Sequence, residues 1–581
     1  MSEKNIDAYI VPTADYHGSE MVGAYFKSRE YITGFTGSAG TAVITADDAG
    51  LWTDGRYYIQ ATNELEGSGI KLHKMEKGAL SIIEWLIENL EPGSVVAFDG
   101  RTVTAREGYD YEYEFSSHGI HLDGNCDLIS LIWQDRPTLS DAPAFYLEEK
   151  YSGESSNSKL ARLRSVMQIV GADAHVITAL DDIAWLLNIR GGDIECSPLM
   201  LAYAIVYMDK VLLFADEAKL DNAIKVIFKD NNVEACPYDD FYKTLSEMDS
   251  ENVLIDSNCV SYATYNTVSD TCEILDDDNP CGLMKMIKNQ TELENIRKAH
   301  IKDGVAATKF MYWIKNNCGK EKITELSAAR KYHDLRAEQE GFIEDSFEPI
   351  IAYGEHAAII HYSATEETNA TIEPGAMLLT DTGGHYLDGS TDISRTIILG
   401  DISEEQKKDY TAVLRANINL AKTNFKYGCH GYNLDVIARE PIWERGKDYN
   451  HGTGHGVGYL TNVHEGNIGF RIRVLPGDQA LEAGMIITDE PGIYEEGKYG
   501  IRTENELLVC RGDENENGQF MYFETLTLAP IDLDGIIPEE MSKDERKWLN
   551  DYHKRVYETI SPYLSDEETA WLMKRQTEKR Q

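Results

Sequence analysis

The chain has 581 residues, 42% of them apolar and 10% aromatic, with only 15 prolines. That length is too great for a single hydrophobic core, and the composition excludes a disordered or fibrous protein. Fifty-five basic residues stand against 99 acidic ones, a formal charge of −44, which repels phosphate backbones and excludes nucleic acid as a partner.

The opening segment MSEKNIDAYIVP has no basic stretch followed by an apolar one, so no secretory leader is expected. No apolar run approaches the ~18 residues needed to span a bilayer, so no membrane partner is expected either. The nine cysteines are scattered between Cys126 and Cys510 without CxxC spacing. They read as reduced thiols and point to the cytoplasm.

In chain order, the first feature is a weak internal repeat. DAYIVPTADY (7–16) resembles DAHVITALDD (173–182), YITGFTG (31–37) resembles WLLNIRG (185–191), and AVITADDAGLWTD (42–54) resembles AIVYMDKVLLFAD (204–216). Each copy predicts a strand, a helix and a hairpin of strands, so two related α/β domains in tandem are expected. The stretch 133–158, with prolines, serines and charges, reads as a linker between them. A composition shift at DDDNPCG (276–282) opens a third region. The expected domains are therefore 1–135, 136–283 and 284–581, an α/β (α+β) chain.

In the third region, helical spacing predicts helices over 290–315, 323–339 and 403–427, with strands over 342–400 and again to about 530. HGTGHGVG reads as a loop. The tail 544–564 predicts a helix, with Trp548, Tyr552 and Val556 four apart on its apolar side.

This region also carries the residues capable of chemistry: His361 in AAIIHY, Asp381 and Asp392 in TDTGGHYLDGSTD, His451, His455 and His464 in HGTGHGVGYLTNVHEG, Glu490 in TDEPG and Glu504 in IRTEN. Taken singly each has a plain structural reading: a hydrogen-bonded core histidine, a glycine loop, a turn carboxylate. Together they pose a charge problem. Four inward-facing carboxylates would cost several kcal/mol each, roughly, if left uncompensated. Two divalent cations would balance them, and oxygen-rich ligation with one imidazole suits Mn²⁺ while admitting Co²⁺ or Zn²⁺. A hairpin turning near HYLDG would bring Asp381 and Asp392 within cross-strand reach.

The ordered set IIHY, TDTGGHYLDGSTDISRT, HGTGHGVG…NVHEG, GMIITDEPGIY and GIRTEN resembles the metallo-aminopeptidases of the pita-bread fold, and within them the long, three-domain cytosolic Xaa-Pro aminopeptidases. The likeness extends to DAYIVPTAD, GFTGSAGTAVIT and WTDGRYYIQA in the first domain, LDDIAWLLNIRG in the second, and FETLTLAPID and WLNDYH near the end. It implies two tandem α/β domains followed by a pita-bread catalytic domain with a helical C-terminal extension. It implies Asp381, Asp392, His455, Glu490 and Glu504 as metal ligands, with Asp392 and Glu504 bridging. It implies His361, His451 and His464 as histidines lining the substrate pocket, and Glu490 as the proton carrier. The implied activity is removal of the first residue from peptides with proline in second place, through metal-activated water, in a homodimer. Asp388 matches no ligand and reads as a turn residue. Glu355 and His356 depart from the pattern and are expected to alter pocket polarity, while Thr503 replaces a usual aliphatic residue. Two alternatives use the same fold: a prolidase cutting Xaa-Pro dipeptides, and a binding scaffold without catalysis.

Overall fold

The computed structural model describes residues 1–475 and 477–577. They form two compact units, Met1–Lys285 and Met286–Gln581. The first unit contains two six-stranded sheets of the same spatial order. One runs Lys71–Lys74, Ala49–Thr53, Thr41–Thr45, Ala8–Pro12, Val95–Phe98, His121–Asp123. The other runs Val233–Cys236, Val211–Phe214, Tyr203–Tyr207, Ala174–Ile177, Asn252–Ile255, Glu273–Asp276. In each, the first strand in sequence pairs antiparallel with one neighbour and parallel with the other, at Ala8–Pro12 and again at Ala174–Ile177. The repeat seen in the sequence is thus a repeated sheet, because the same β-branched runs and turn signals recur in the same order.

The stretch expected as a linker is partly built. Phe145–Tyr146 pairs with Ile189–Arg190, Leu147 is buried, and a helix already begins at Ser156. Burial of these few apolar side chains outweighs the polar composition around them.

The second unit starts with helix Gln290–Asn317, capped by Asn289 and Glu292 in a reciprocal capping box. Helices Glu325–Ala337, Glu404–Ala421 and Lys543–Ile560 open with equivalent boxes at Thr324, Ser403 and Ser542. These helices flank two sheets. One is three-stranded: Ile350–Tyr353, Ala376–Thr382, Ile393–Leu399. The other is six-stranded and ordered Phe425–Lys426, Gly518–Thr525, Asn505–Asn515, Ile486–Asp489, Gly454–Val457, His464–Phe470. The largest apolar core lies between the six-stranded sheet and helices Glu404–Ala421, Gly431–Trp443 and Lys543–Ile560.

Two boundaries differ from expectation. The helix expected to reach 427 ends at Ala421, because Phe425 is drawn into an edge strand and stacks on Phe523 with ring centroids 4.8 Å apart. Helix Gly431–Trp443 was not expected at all. It contains Pro441 in its last turns, a residue that normally signals a helix end because it lacks an N–H.

Candidate metal centre

The hairpin TDTGGHYLDGSTD folds as its spacing requires. Asp381 faces Ser394 across the pair Ala376–Thr382 and Ile393–Leu399, and His385 faces Ser390 closer to the tip. Leu387 and Asp388 form that tip, and Asp388 is ion-paired with Lys302. The turn therefore returns Asp392 to the neighbourhood of Asp381, where both side chains are buried.

His455 sits on a short strand, Gly454–Val457, and not in a loop. The flanking glycines are dictated by packing: a Cβ on Gly454 would lie 1.9 Å from the Thr488 carbonyl oxygen, and one on Gly456 would lie 2.1 Å from that of Glu465. His455 donates its backbone N–H to Thr488 Oγ1 at 3.0 Å, which locks it to the strand leading into Glu490. Pro491 ends that strand, since it has no N–H for the ladder, and Glu490 instead donates its own N–H to Thr453 O at 2.7 Å. Glu504 follows the hairpin Gly492–Glu495/Tyr499–Arg502 and directly precedes strand Asn505–Asn515.

These elements converge. Ligand atoms of Asp392, His455 and Glu504 all lie within 4.8 Å of one another. Glu490 Oε1 is 3.9 Å from His455 Nε2, and Glu490 Oε2 is 3.8 Å from His451 Nδ1. The His464 ring packs edge-on to His455, with centroids 4.1 Å apart. His361 lies just beyond the one-turn helix Gly354–Ala358, where Arg502 Nη2 reaches the preceding carbonyl of Ile360 at 3.4 Å.

The electrostatics are those of a cation site. Burial first, then Asp381, Glu490 and Glu506, push the Asp392 carboxyl well above the usual carboxylate range. Burial, Asp392 and Asp381 do the same to Glu504, against the opposing pull of Arg502 and Ser394. Asp381 Oδ1 and Asp392 Oδ1 are buried and meet no donor among the described residues. Among the described residues, four carboxylates against the guanidinium of Arg502 leave an excess of negative charge, and the candidate ligands are carboxylate oxygens and imidazole. That donor set fits divalent cations.

The comparisons agree with this chemistry. A family profile described as metallopeptidase family M24 matches residues 294–511, and one for the C-terminal region of these peptidases matches 519–579. Two creatinase/prolidase N-terminal domain profiles match 1–118 and 135–292. Xaa-Pro aminopeptidase 1 of Dictyostelium discoideum is 38% identical over 97% of this chain and 92% of its own. The chain belongs to the Xaa-Pro aminopeptidases of metallopeptidase family M24.

The crystal structure of an X-prolyl aminopeptidase from Caenorhabditis elegans, described as a cytosolic enzyme with a di-nuclear active site, superposes with a TM-score of 0.94. It is 33% identical and covers 98% of this chain and 95% of its own. A prolidase from Pyrococcus horikoshii is 26% identical with a TM-score of 0.51, and matches 99% of its own length but only 64% of this chain. The likeness to the Xaa-Pro aminopeptidase thus extends over nearly the whole chain, and that to the prolidase over about two thirds of it.

Several residues of this M24 site were not singled out from the sequence. Arg502 donates to Asp381 Oδ2 at 2.5 Å, to Tyr494 Oη at 2.8 Å and to Ser394 Oγ at 3.0 Å. Tyr494 Oη in turn lies 2.9 Å from His451 Nε2. Ser394 donates to Glu504 Oε2 at 2.8 Å, and Glu506 Oε1 accepts the Asp392 N–H at 2.8 Å. Asp489 is fully buried with neither oxygen paired among the described residues. A signal for Arg502 was present in IRTEN. Near a strand, period-2 alternation puts residues 502 and 504 on one side.

His356 pairs with the buried Glu325, Nδ1 to Oε1 at 2.9 Å, and stacks on Tyr362. Glu325 also accepts from Tyr362 Oη at 2.9 Å, from Tyr353 N at 2.8 Å and from Ala370 N at 2.9 Å. The carboxylate therefore pins both ends of the loop that carries His361. The hydrogen bond to Glu325, aided by the charges of Glu325 and Glu355 against partial burial, raises the His356 pKa above its ordinary value of 6.5. A raised histidine stabilises the fold fully below its unfolded pKa and loses that contribution as pH rises through the folded value. His356→Asn should accordingly flatten the fall in thermal midpoint above about pH 6.5; a variant whose midpoint follows pH as the wild type does would show the pair to be idle.

Proposed function

We infer that the chain hydrolyses the bond between an N-terminal residue and a following proline, releasing the first residue. The observation that carries this reading is the buried cluster of Asp392, His455 and Glu504, with Glu490 and Asp381 at its edges, in a chain related over its whole length to Xaa-Pro aminopeptidases. Asp381, Asp392, His455, Glu490 and Glu504 would hold two divalent cations, of which Mn²⁺ suits the donors best. When bound, such cations supply an activated water nucleophile and withdraw charge from the scissile carbonyl.

The chain's own residues do the rest. Glu490 is placed to hold a proton and pass it toward the leaving imino nitrogen, with His451 beside its Oε2. His464 or His361 would be the donor to the oxyanion that develops on the carbonyl oxygen. Arg502 neutralises Asp381 and orients Tyr494, which sets the direction of the His451 ring. A tertiary prolyl amide brings no N–H to the site, so selection rests on the fit of a ring.

Protein stripped by a chelator should lose cleavage of Xaa-Pro-Yaa tripeptides and regain it with Mn²⁺, cutting the Xaa-Ala-Yaa analogue far more slowly. Equal rates on the two peptides would remove the proline assignment, and a preference for the Xaa-Pro dipeptide would favour the prolidase reading. Glu490→Gln should lower kcat by about 10²-fold or more, as loss of a positioned proton carrier does; unchanged kcat would leave that role unfilled.

The assembly we propose is a homodimer. Helix Gly431–Trp443 packs on strand His464–Phe470 and exposes Val436 and Trp443, while the continuation of that strand exposes Ile472, Val474 and Leu475. Such apolar exposure suits a protein partner. Sedimentation velocity should give about twice the 65.3 kDa chain mass, and a monomer at micromolar concentration would refute the dimer. The cytoplasm is the proposed location, by likeness to the Caenorhabditis elegans enzyme described as cytosolic.

A further inference from the structure

The helical C-terminal extension approaches the metal centre from behind, and one arginine joins them. Arg395 lies on strand Ile393–Leu399 and is 3% exposed. Alternation along the strand turns it to the side opposite Ser394, away from the carboxylate cluster. Its Nη1 donates to Glu504 O at 2.6 Å and Ser394 O at 2.9 Å. Its Nη2 donates to Asn505 Oδ1 at 2.9 Å, Ala529 O at 2.9 Å and Tyr552 Oη at 3.0 Å, and its Nε donates to Pro530 O at 3.1 Å. Every acceptor is neutral, and no carboxylate pairs with Arg395 among the described residues. The guanidinium is held by geometry instead of by a counter-charge.

Tyr552 completes this geometry from helix Lys543–Ile560. Its hydroxyl accepts from Arg395 and donates to Ala529 O at 2.7 Å, so the same group fixes both the guanidinium and the segment beneath it. The helix is anchored independently of that hydroxyl. Trp548 stacks on the Tyr552 ring with planes 5° apart, Leu549 and Val556 are buried, and His553 Nε2 accepts the Ile531 N–H at 3.2 Å.

We propose that Tyr552 is a positioning residue for the metal centre: through Arg395 it fixes the main chain of Glu504 and Ser394, and so the spacing of Glu504 and Asp392, two carboxylates that would hold the cations. The inference rests on Glu504 being a ligand, as proposed above. Glu504 is gripped twice by one strand, at its carbonyl by Arg395 and at Oε2 by the Ser394 hydroxyl at 2.8 Å. Asp392 stands two residues before Ser394 on that same strand direction. Any slip of Arg395 therefore moves both carboxylates relative to each other. The C-terminal extension becomes part of the site without contributing a ligand.

The test is Mn²⁺ titration by calorimetry into the chelator-stripped full chain. Tyr552→Phe keeps the ring, the stack and the volume, and should weaken the looser of two equivalents by about three- to tenfold, below the larger losses typical of groups bonded directly to a ligand. At saturating Mn²⁺ its kcat should recover most of the way while KM stays unchanged. Arg395→Lys, which retains charge but cannot span the same acceptors, should weaken both equivalents further. Leu549→Ala on the same helix should lower the thermal midpoint yet bind Mn²⁺ as the wild type does. Wild-type affinity in both Tyr552→Phe and Arg395→Lys overturns the inference, whatever happens to their melting. Glu504→Gln separates the two readings: if it binds both equivalents at wild-type affinity, the ligand assignment itself fails, whereas if it alone loses Mn²⁺, only the role of Tyr552 does.

Discussion

A surplus of buried negative charge is the constraint around which the second unit is organised. Asp381, Asp392, Glu490 and Glu504 lie together, with Glu506 and Asp489 close enough to add their charge, and Arg502 pairs with Asp381. Desolvation of charged groups costs too much for such a cluster to persist as a packing accident. The rest of the local structure either supplies partial compensation or prevents the carboxylates from relaxing apart. Arg502 and Ser394 supply the first, and the strand pairings supply the second.

Preventing relaxation demands close backbone approach, which explains the glycine content of this region. Gly454 and Gly456 bring the His455 strand onto its neighbours, Gly383 brings the hairpin against Thr391, and Gly500 seats the Gly492–Glu495/Tyr499–Arg502 hairpin against Ala357. A side chain at any of these positions would meet backbone within 2.1 Å. The glycines thus act through tight packing of extended chain more than through unusual dihedrals. The loop bearing His361 is held in a second way, by the one carboxylate of Glu325, which gathers donors from both of its ends.

The two sheets of the first unit show how one strand order can be reused with different cores. Their β-branched runs are alike in placement, yet one is packed around Trp52, Trp85 and Phe98 and the other around Leu213, Leu186 and Met167. What recurs is the order of pairing, which depends on the spacing of turns and apolar runs and tolerates exchange of the side chains that fill the core.

The sequence by itself determined the fold class, the repeated α/β halves and the hairpin that returns Asp392 to Asp381. Each follows from local periodicity and turn chemistry, which are written in neighbouring residues. It also presented His455, Glu490 and Glu504 as members of one set, through ordered motifs that together resemble those of one family. Only the tertiary structure decided that the second half of HGTGHG opens a strand under backbone contact, that a helix containing Pro441 lies before it, and that His356 pairs with Glu325. The same holds for Arg502, Tyr494, Glu506 and the path from Tyr552 through Arg395 to Glu504. These depend on which groups meet across sheets, several of them more than a hundred residues apart, and separation along a chain carries no record of contact in space.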